Sequence, residues 1–563
     1  MKYMLITIAA VIIAGSGLSS RATDSDRLFP NDRLTVVEVI MDTNDWDMMR
    51  REHHDLFTAP APESGHRASP YNYYRATAII DGERIENVGI RKKGFLGSAS
   101  AHRPSLKLNF DKFVKGREFR GLDLMTLNNN DQDASQLKQY LAYKLFNEGG
   151  VESPRCALTK VTVNGKYLGV YSHVESVNKQ FVKRRFGDGK GNLYEGQGAD
   201  FRKGFFDKFE KKTNKKKSDY SDVEALTRAL ESDQESLFKS LEKVLNVDQY
   251  LRYWTMESLV GHRDSYSANQ NNFLIYNEPK SGQFHFIPWG TDGAFEWRET
   301  KYSAFKRPDS VKAEGYVAHR IYKHPDGPMR YRQQMRSHLE TVWNEKVLLA
   351  ELKRMQALVA PHVHLPEEAF KKGVSQLETY IKRRRAMFEP ELSGAAPEWK
   401  LPLRKPRTSN SEPLGTITGS FKTIFGVAPN HPDARGTIEV TIDGMTRQFD
   451  GTNVTGSVRD GAFRTGYPIV SVTAQEDGTM RGMSFYLIID PDFFGSNQEQ
   501  PIDGYTVFSQ LRQSTGNPPV ISRLGYMVGT VRIESAGMEK GDLISGTLEA
   551  KIRGRAKPAD WKD

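Results

Sequence analysis

The sequence predicts an α+β unit followed by an all-β unit. Three observations carry this. From residue 34 to residue 387 helical spacing is interleaved with strand-like alternation and hairpin turns. From about 388 to 413 the chain turns Pro-rich (EPELSGAAPEWKLPLRKPRTSNSEP) and loses periodicity. From 414 to 556 short apolar runs are separated by Gly, Asp and Asn, and helical spacing is weak, which is the texture of a sandwich-like β domain.

The elements follow in order. Leu34 to Met41 (LTVVEVIM) is a strand, and Asn44-Asp45-Trp46 begins a short helix. Tyr73 to Ile80 and Glu83 to Ile90 flank Asp81-Gly82, a hairpin signal. Leu106 to Phe110 alternates as a strand, and Leu137, Tyr140, Leu141 and Leu145 give helical spacing over 135–146. Leu158 to Val163 and Tyr167 to Val174 flank Asn164-Gly165, a second hairpin. Residues 201–217 read as a Lys-rich loop, followed by helices over 222–231, 235–244 and 248–260. Strands over 273–276 and 284–287 come next, then helices over 345–359 and 367–387. These readings divide the chain into 30–390, a linker at 391–413 and a β unit at 414–556.

The chain has 563 residues, enough for two to four units at about 100–200 residues each. Hydrophobic residues at 38% supply sizeable cores and exclude a wholly disordered chain. The net charge of +10 admits acidic partners, and the excess lies before the linker. One cysteine, Cys156, excludes an internal disulfide and a Cys-based zinc cluster; it leads into a strand and reads as structural. Met1-Lys2-Tyr3, the apolar run from Met4 to Ala14 and the small residues after it read as a secretory leader over 1–22. That run is too short for a membrane span, so the expectation is an exported mature protein without a transmembrane segment. HExxH and Gly-x-Ser-x-Gly are absent. His53-His54-Asp55 reads as an exposed cluster, and the lysines at 211–217 read as a solvated loop, so no nucleic-acid partner is expected.

Two clusters carry chemistry. His262-Arg263-Asp264 follows a helix; Asn271 and Asn272 precede a strand; Trp289-Gly290-Thr291-Asp292-Gly293 follows another strand. Two carboxylates and an amide at the ends of short elements fit phosphoryl transfer: one Asp takes the acceptor's proton, while an Asn oxygen and a second Asp hold a hard cation. The second cluster is Arg91-Lys92-Lys93-Gly94-Phe95-Leu96-Gly97-Ser98, a glycine-containing loop, with Lys107 on the next strand. A loop that covers phosphates and a strand lysine that pairs with them precede the two carboxylates in the order a nucleotide site requires.

Over roughly 33–390 the chain resembles the spore coat protein H (CotH) kinase family. The resemblance rests on Val88-Gly89-Ile90-Arg91-Lys92-Lys93-Gly94, on Arg103 through Phe110, and on Val163 through Tyr171 with Glu175. It continues in Gly191-Asn192-Leu193-Tyr194, in Asp264 through Tyr276, and in Ile287-Pro288-Trp289 with Asp292. It implies a shrunken, atypical protein-kinase-like fold, ATP, and Mg²⁺ or Mn²⁺. It also implies transfer of phosphate to Ser or Thr of a protein substrate. Asp264 matches the catalytic Asp, Asn272 and Asp292 the metal ligands, and Lys107 the nucleotide-contacting lysine; Gly94 and Arg91 fall in the phosphate-covering segment. Glu175 matches a family Glu for which pairing with Lys107 is one option. Where the family often reads Trp-Asp-x-Asp, this chain has Trp289-Gly290-Thr291-Asp292. The leading expectation is an exported protein kinase; the alternative is a non-catalytic surface or adhesion protein on the same scaffold.

Overall fold

A computed structural model describes residues 24–54, 69–95, 98, 100–217, 219–296, 307–404, 411–427, 431–442, 444–450, 453–458, 468–475, 482–490, 492–503, 507–515 and 520–555. The expected leader lies outside the described residues, as do Asp55, Leu96 and Gly97.

Seven strands near the start close into a barrel: β1 (Thr35–Met41), β2 (Tyr74–Ile80), β3 (Glu83–Lys93), β4 (Ser105–Asn109), β5 (Leu124–Asn128), β6 (Cys156–Val163) and β7 (Lys166–Val174). Their order is β1-β2-β3-β4-β5-β7-β6, and a parallel pairing of β1 with β6 completes the ring. Both expected hairpins are present. Asp81 and Gly82 take φ of 48° and 86°, and Asn164 and Gly165 take 48° and 78°, so each pair supplies the two left-handed residues of a tight hairpin turn. Alternation sorts the side chains: Ile90, Leu106, Leu108, Met125 and Leu127 fill the barrel, which turns Arg91, Lys93 and Lys107 outward.

That outward face meets a four-stranded sheet of order β11-β10-β8-β9, built from β8 (Leu193–Gly196), β9 (Phe209–Lys211), β10 (Phe273–Asn277) and β11 (Phe284–Pro288). β9 lies inside the segment expected to be a loop. Phe209 is buried there, and Lys211 folds back to donate to the carbonyls of Lys217 and Asp219, so an apolar anchor and a tethered lysine make a strand of it. Helices at Val247–Leu259, Tyr316–Lys323, Gly327–Thr341, Glu345–Val359 and Glu367–Ser393 pack around this sheet. The last runs past the expected end and carries Pro390 inside it, because Phe388 and Leu392 remain buried on its inner face.

Beyond the linker, ten strands between Ser411 and Arg555 form one antiparallel sheet with its own apolar cluster. In place of the two sheets of a sandwich, the ladder is continuous. The 16-residue strand Val520–Ser535 pairs with three neighbours, because Val507–Thr515 and Glu499–Ile502 share one of its edges and Leu543–Arg555 takes the other; register shifts fall at Gln513/Ser514 and at Ile533/Ser535. Among the described residues no helix is long and apolar enough to cross a membrane.

Candidate active site

The wall of the site is the outward face of the barrel. Arg91 stands opposite Lys107 in register, and Lys93 is two residues further along the same face of β3. The Lys93 ammonium donates to Asn128 Oδ1 on β5. Burial lowers Lys93 to about 8, with Asp292 pulling the other way. Burial lowers Lys107 further, to about 7, and the like charges of Arg91, Lys93 and Lys212 add to the effect. Arg91 donates to Ser69 Oγ at 2.9 Å and lies over the Tyr73 ring. Gly94 follows this strand, and its carbonyl accepts the Tyr71 hydroxyl at 2.7 Å.

Across from Lys107, β8 presents Glu195, which pairs with Lys212 at 2.7 Å. Burial opposes ionisation of Glu195, but Lys212 and Lys107 outweigh it and hold the carboxyl below its ordinary range.

The floor is the segment from His262 to Asn272. Two buried carboxylates shape it. Glu257 accepts the backbone N–H groups of Tyr266 and Ser267, both at 3.1 Å, and so caps the short turn Tyr266–Asn269. Asp200 accepts the Tyr266 hydroxyl at 2.9 Å and Gln270 Nε2 at 2.8 Å, which holds Gln270 in its left-handed conformation. Within this frame Asp264 is ringed by three amides. Its Oδ1 accepts Asn269 Nδ2, and its Oδ2 accepts Asn271 Nδ2 at 3.0 Å and Asn272 Nδ2 at 2.7 Å.

Two links tie this floor to the loop after β11. The Arg263 N–H donates to the Gly293 carbonyl at 3.3 Å, and His262 Nε2 lies 3.0 Å from the Gly290 carbonyl. Burial lowers His262 to about 4, so a neutral ring donates that bond. Gln132 closes the circuit: its Nε2 donates to Asp292 Oδ2 at 3.1 Å while its Oε1 accepts from Arg263 at 3.0 Å. Arg263 also pairs with Glu296, which Lys138 holds from the other side at 3.1 Å.

The donor set fits a hard divalent cation. Burial raises Asp292 to about 6, and the neighbouring Asp264 charge acts in the same direction. A cation between them relieves both effects. Asn272 turns its Nδ2 to Asp264 and its Oδ1 toward Gly290. Gly290 has φ of 54°, and a Cβ there would lie 2.6 Å from Asn272 Oδ1. A side chain at this position would therefore require the Asn272 amide to shift. Among the described residues no three His, Cys, Asp or Glu side chains gather as a metal cluster. Two carboxylates, an amide oxygen and ligand oxygens are the donors available.

Asp264, Asn272 and Asp292 therefore come together, with Lys93 of the barrel face near Asp292. Glu175 does not join Lys107. It is buried just after β7, where the Arg155 side chain donates to Oε1 at 2.8 Å and the Arg155 backbone N–H to Oε2 at 3.1 Å, and Arg184 grips both, so it braces the barrel. Glu195 and Asp123 are carboxylates whose charge Lys107 feels or offsets. Lys93 and Asn271 stand in the two clusters read from the sequence without a role of their own, and Gln132, Glu195 and Asn269 are not singled out there. Two signals were available: Lys93 shares the face of Arg91, and Glu195 directly follows the Gly191–Tyr194 segment.

The family model described as CotH kinase protein matches residues 90–388. Inner spore coat protein H of Bacillus subtilis is 24% identical over 301 residues, covering 50% of this chain and 82% of that protein. Invasin CotH2 of Rhizopus delemar is 20% identical over 349 residues, covering 56% of this chain and 58% of that protein. The Helicobacter pylori proinflammatory kinase CtkA aligns at a TM-score of 0.29 with 10% identity, over 52% of this chain and 90% of that one.

Proposed function

Because the chain belongs to the CotH kinase protein family, we propose that it transfers the γ-phosphoryl group of ATP to Ser or Thr of a protein acceptor. Mg²⁺ or Mn²⁺ is the cofactor in this reading. The observation that carries it is the convergence of Asp264, Asn272 and Asp292 beside a barrel face bearing Lys93 and Lys107. Lys107, Lys93 and Arg91 meet the phosphate oxygens, and Gly94 opens the segment that covers them. Asp264, oriented by its three amides, accepts the acceptor hydroxyl's proton as the new O–P bond forms. The bond from the γ-phosphorus to its bridging oxygen breaks, and ADP leaves. A divalent cation held by Asn272 Oδ1 and Asp292 supplies charge neutralisation for the phosphates. Gln132 and Arg263 keep Asp292 aimed at that position.

The reading includes a leader over 1–22, export, a kinase unit over 30–390, a linker at 391–413 and a β unit at 414–556. The test is incubation of the purified chain with labelled ATP and Mg²⁺ or Mn²⁺. Label enters the protein itself or a Ser-rich acceptor, and falls by about 10²-fold or more in Asp264→Ala and in Asp292→Ala. Wild-type labelling in both variants overturns the site assignment. No thermal shift with millimolar ATP and Mg²⁺ favours the non-catalytic surface protein.

A further inference from the structure

We propose that Arg404, beyond the end of the family match at 388, is a positioning residue for Asp264, acting through the side chain of Asn269. This rests on the reading of Asp264 as the base.

Arg404 makes two bonds to one residue: it donates to the Asn269 carbonyl at 3.0 Å and to Asn269 Oδ1 at 2.7 Å. The other end of that amide, Nδ2, donates to Asp264 Oδ1. A guanidinium only donates and a carboxylate only accepts, so one orientation of the amide satisfies both. Flipping it would set N–H against N–H on one side and oxygen against carboxylate on the other. Arg404 thereby fixes which way Asn269 faces, and Asn269 fixes one oxygen of Asp264. The guanidinium charge also polarises the amide and strengthens its N–H as a donor.

Arg404 is itself held. Glu314 lies 3.5 Å from the guanidinium, and the Arg404 carbonyl accepts from Arg202 at 2.6 Å. Arg202 pairs with Asp200, the carboxylate that anchors Tyr266 and Gln270. Upstream, Trp399 is buried and Leu401 packs on the main core. The stretch expected to be a bare linker is therefore docked as far as Arg404, where it meets the segment bearing Asp264.

The test is a double-mutant cycle in the full chain with Arg404→Met, Asn269→Ala and the pair. Losing the guanidinium and both its bonds to Asn269 lowers kcat about tenfold in Arg404→Met, with KM for ATP unchanged. Asn269→Ala does the same, and the pair is no worse than Asn269→Ala alone. Arg404→Lys, which keeps a charged donor, recovers part of the loss and serves if Arg404→Met does not fold. Wild-type kcat in Arg404→Met, or losses that multiply in the pair, overturn the proposal. If the wild-type chain transfers no phosphate, the kinase reading fails, and Arg404 is judged by amide hydrogen exchange over 264–272. Equal acceleration in both single variants, with none added in the pair, supports the link; unchanged exchange overturns it.

Discussion

At Lys107 burial and like charge push the same way, and the negative charge of an anionic ligand opposes both. The free lysine sits at about 7, so it loses its proton across neutral pH, whereas phosphate oxygens raise it toward the ordinary range near 10. Nucleotide binding then takes up protons between those two values. Affinity is greatest below pH 7 and declines as pH rises through the bound-state value, by at most about tenfold per unit. Calorimetry at pH 8 in buffers of different ionisation enthalpy reads the uptake. Lys107→Met should lose that share, and identical uptake in this variant would remove Lys107 from the phosphate site. Asp264, Asn272 and Asp292 were legible because each stands at the end of an element with a clear period. Gln132 was not, because it lies in a run of polar residues (Asn128 to Ser135) whose partners come from distant parts of the chain.

The elements that read clearly are those with local causes. Asp81-Gly82 and Asn164-Gly165 announce their hairpins because both residues of each turn are of types that tolerate positive φ. The helix Gly327–Thr341 is hidden in the sequence because only Tyr331, Met335 and Leu339 give it an apolar seam, with arginines and glutamines around them. β5 is hidden for a different reason: five residues of Leu-Met-Thr-Leu-Asn fit a strand or a helical turn equally, and its neighbours β4 and β7 decide. The segment carrying Asp264 depends on Asp200, which also accepts the backbone N–H of Tyr316 at 3.0 Å. Asp200→Ala leaves these donors buried without their acceptor and should cost about 3–5 kcal/mol in denaturant unfolding. Exchange over 266–272 should rise with it. A loss under about 1 kcal/mol would show that Tyr266 and Gln270 hold the segment without Asp200.

At the scale of the whole molecule, the β unit meets the front of the chain at three places: Arg51 lies over the Phe493 ring, His53 lies 3.8 Å from Asp503, and Asp492 takes two partners. Asp492 accepts His102 Nδ1 at 2.9 Å and Arg50 at 3.0 Å, and Arg50 also reaches the Ala101 carbonyl. These residues flank the strand that carries Lys107. His102 first, and then Arg50, hold Asp492 well below the ordinary carboxylate range. Its contribution is therefore present above about pH 4 and lost only in strong acid. Asp492→Ala should raise hydrogen exchange over 100–104 and cost about 1 kcal/mol or less. Unchanged exchange there would mean the β unit exerts no hold on that segment. The change from interleaved helices and strands to strands alone after Ser393 was legible from texture, because strand and helix periods differ locally. The contacts across the division were not, because Asp492, Phe493 and Asp503 stand in or beside loops and leave no periodic trace. The parallel pairing that closes the barrel has a consequence for synthesis. Val37 must wait for Val161 to leave the ribosome before the ring can form, and such distant pairings form slowly. Lys93 then waits for Asp292, and Asp264 for Arg404. A chain broken off early in translation is an inert fragment, and its exposed strands are work for chaperones and proteases.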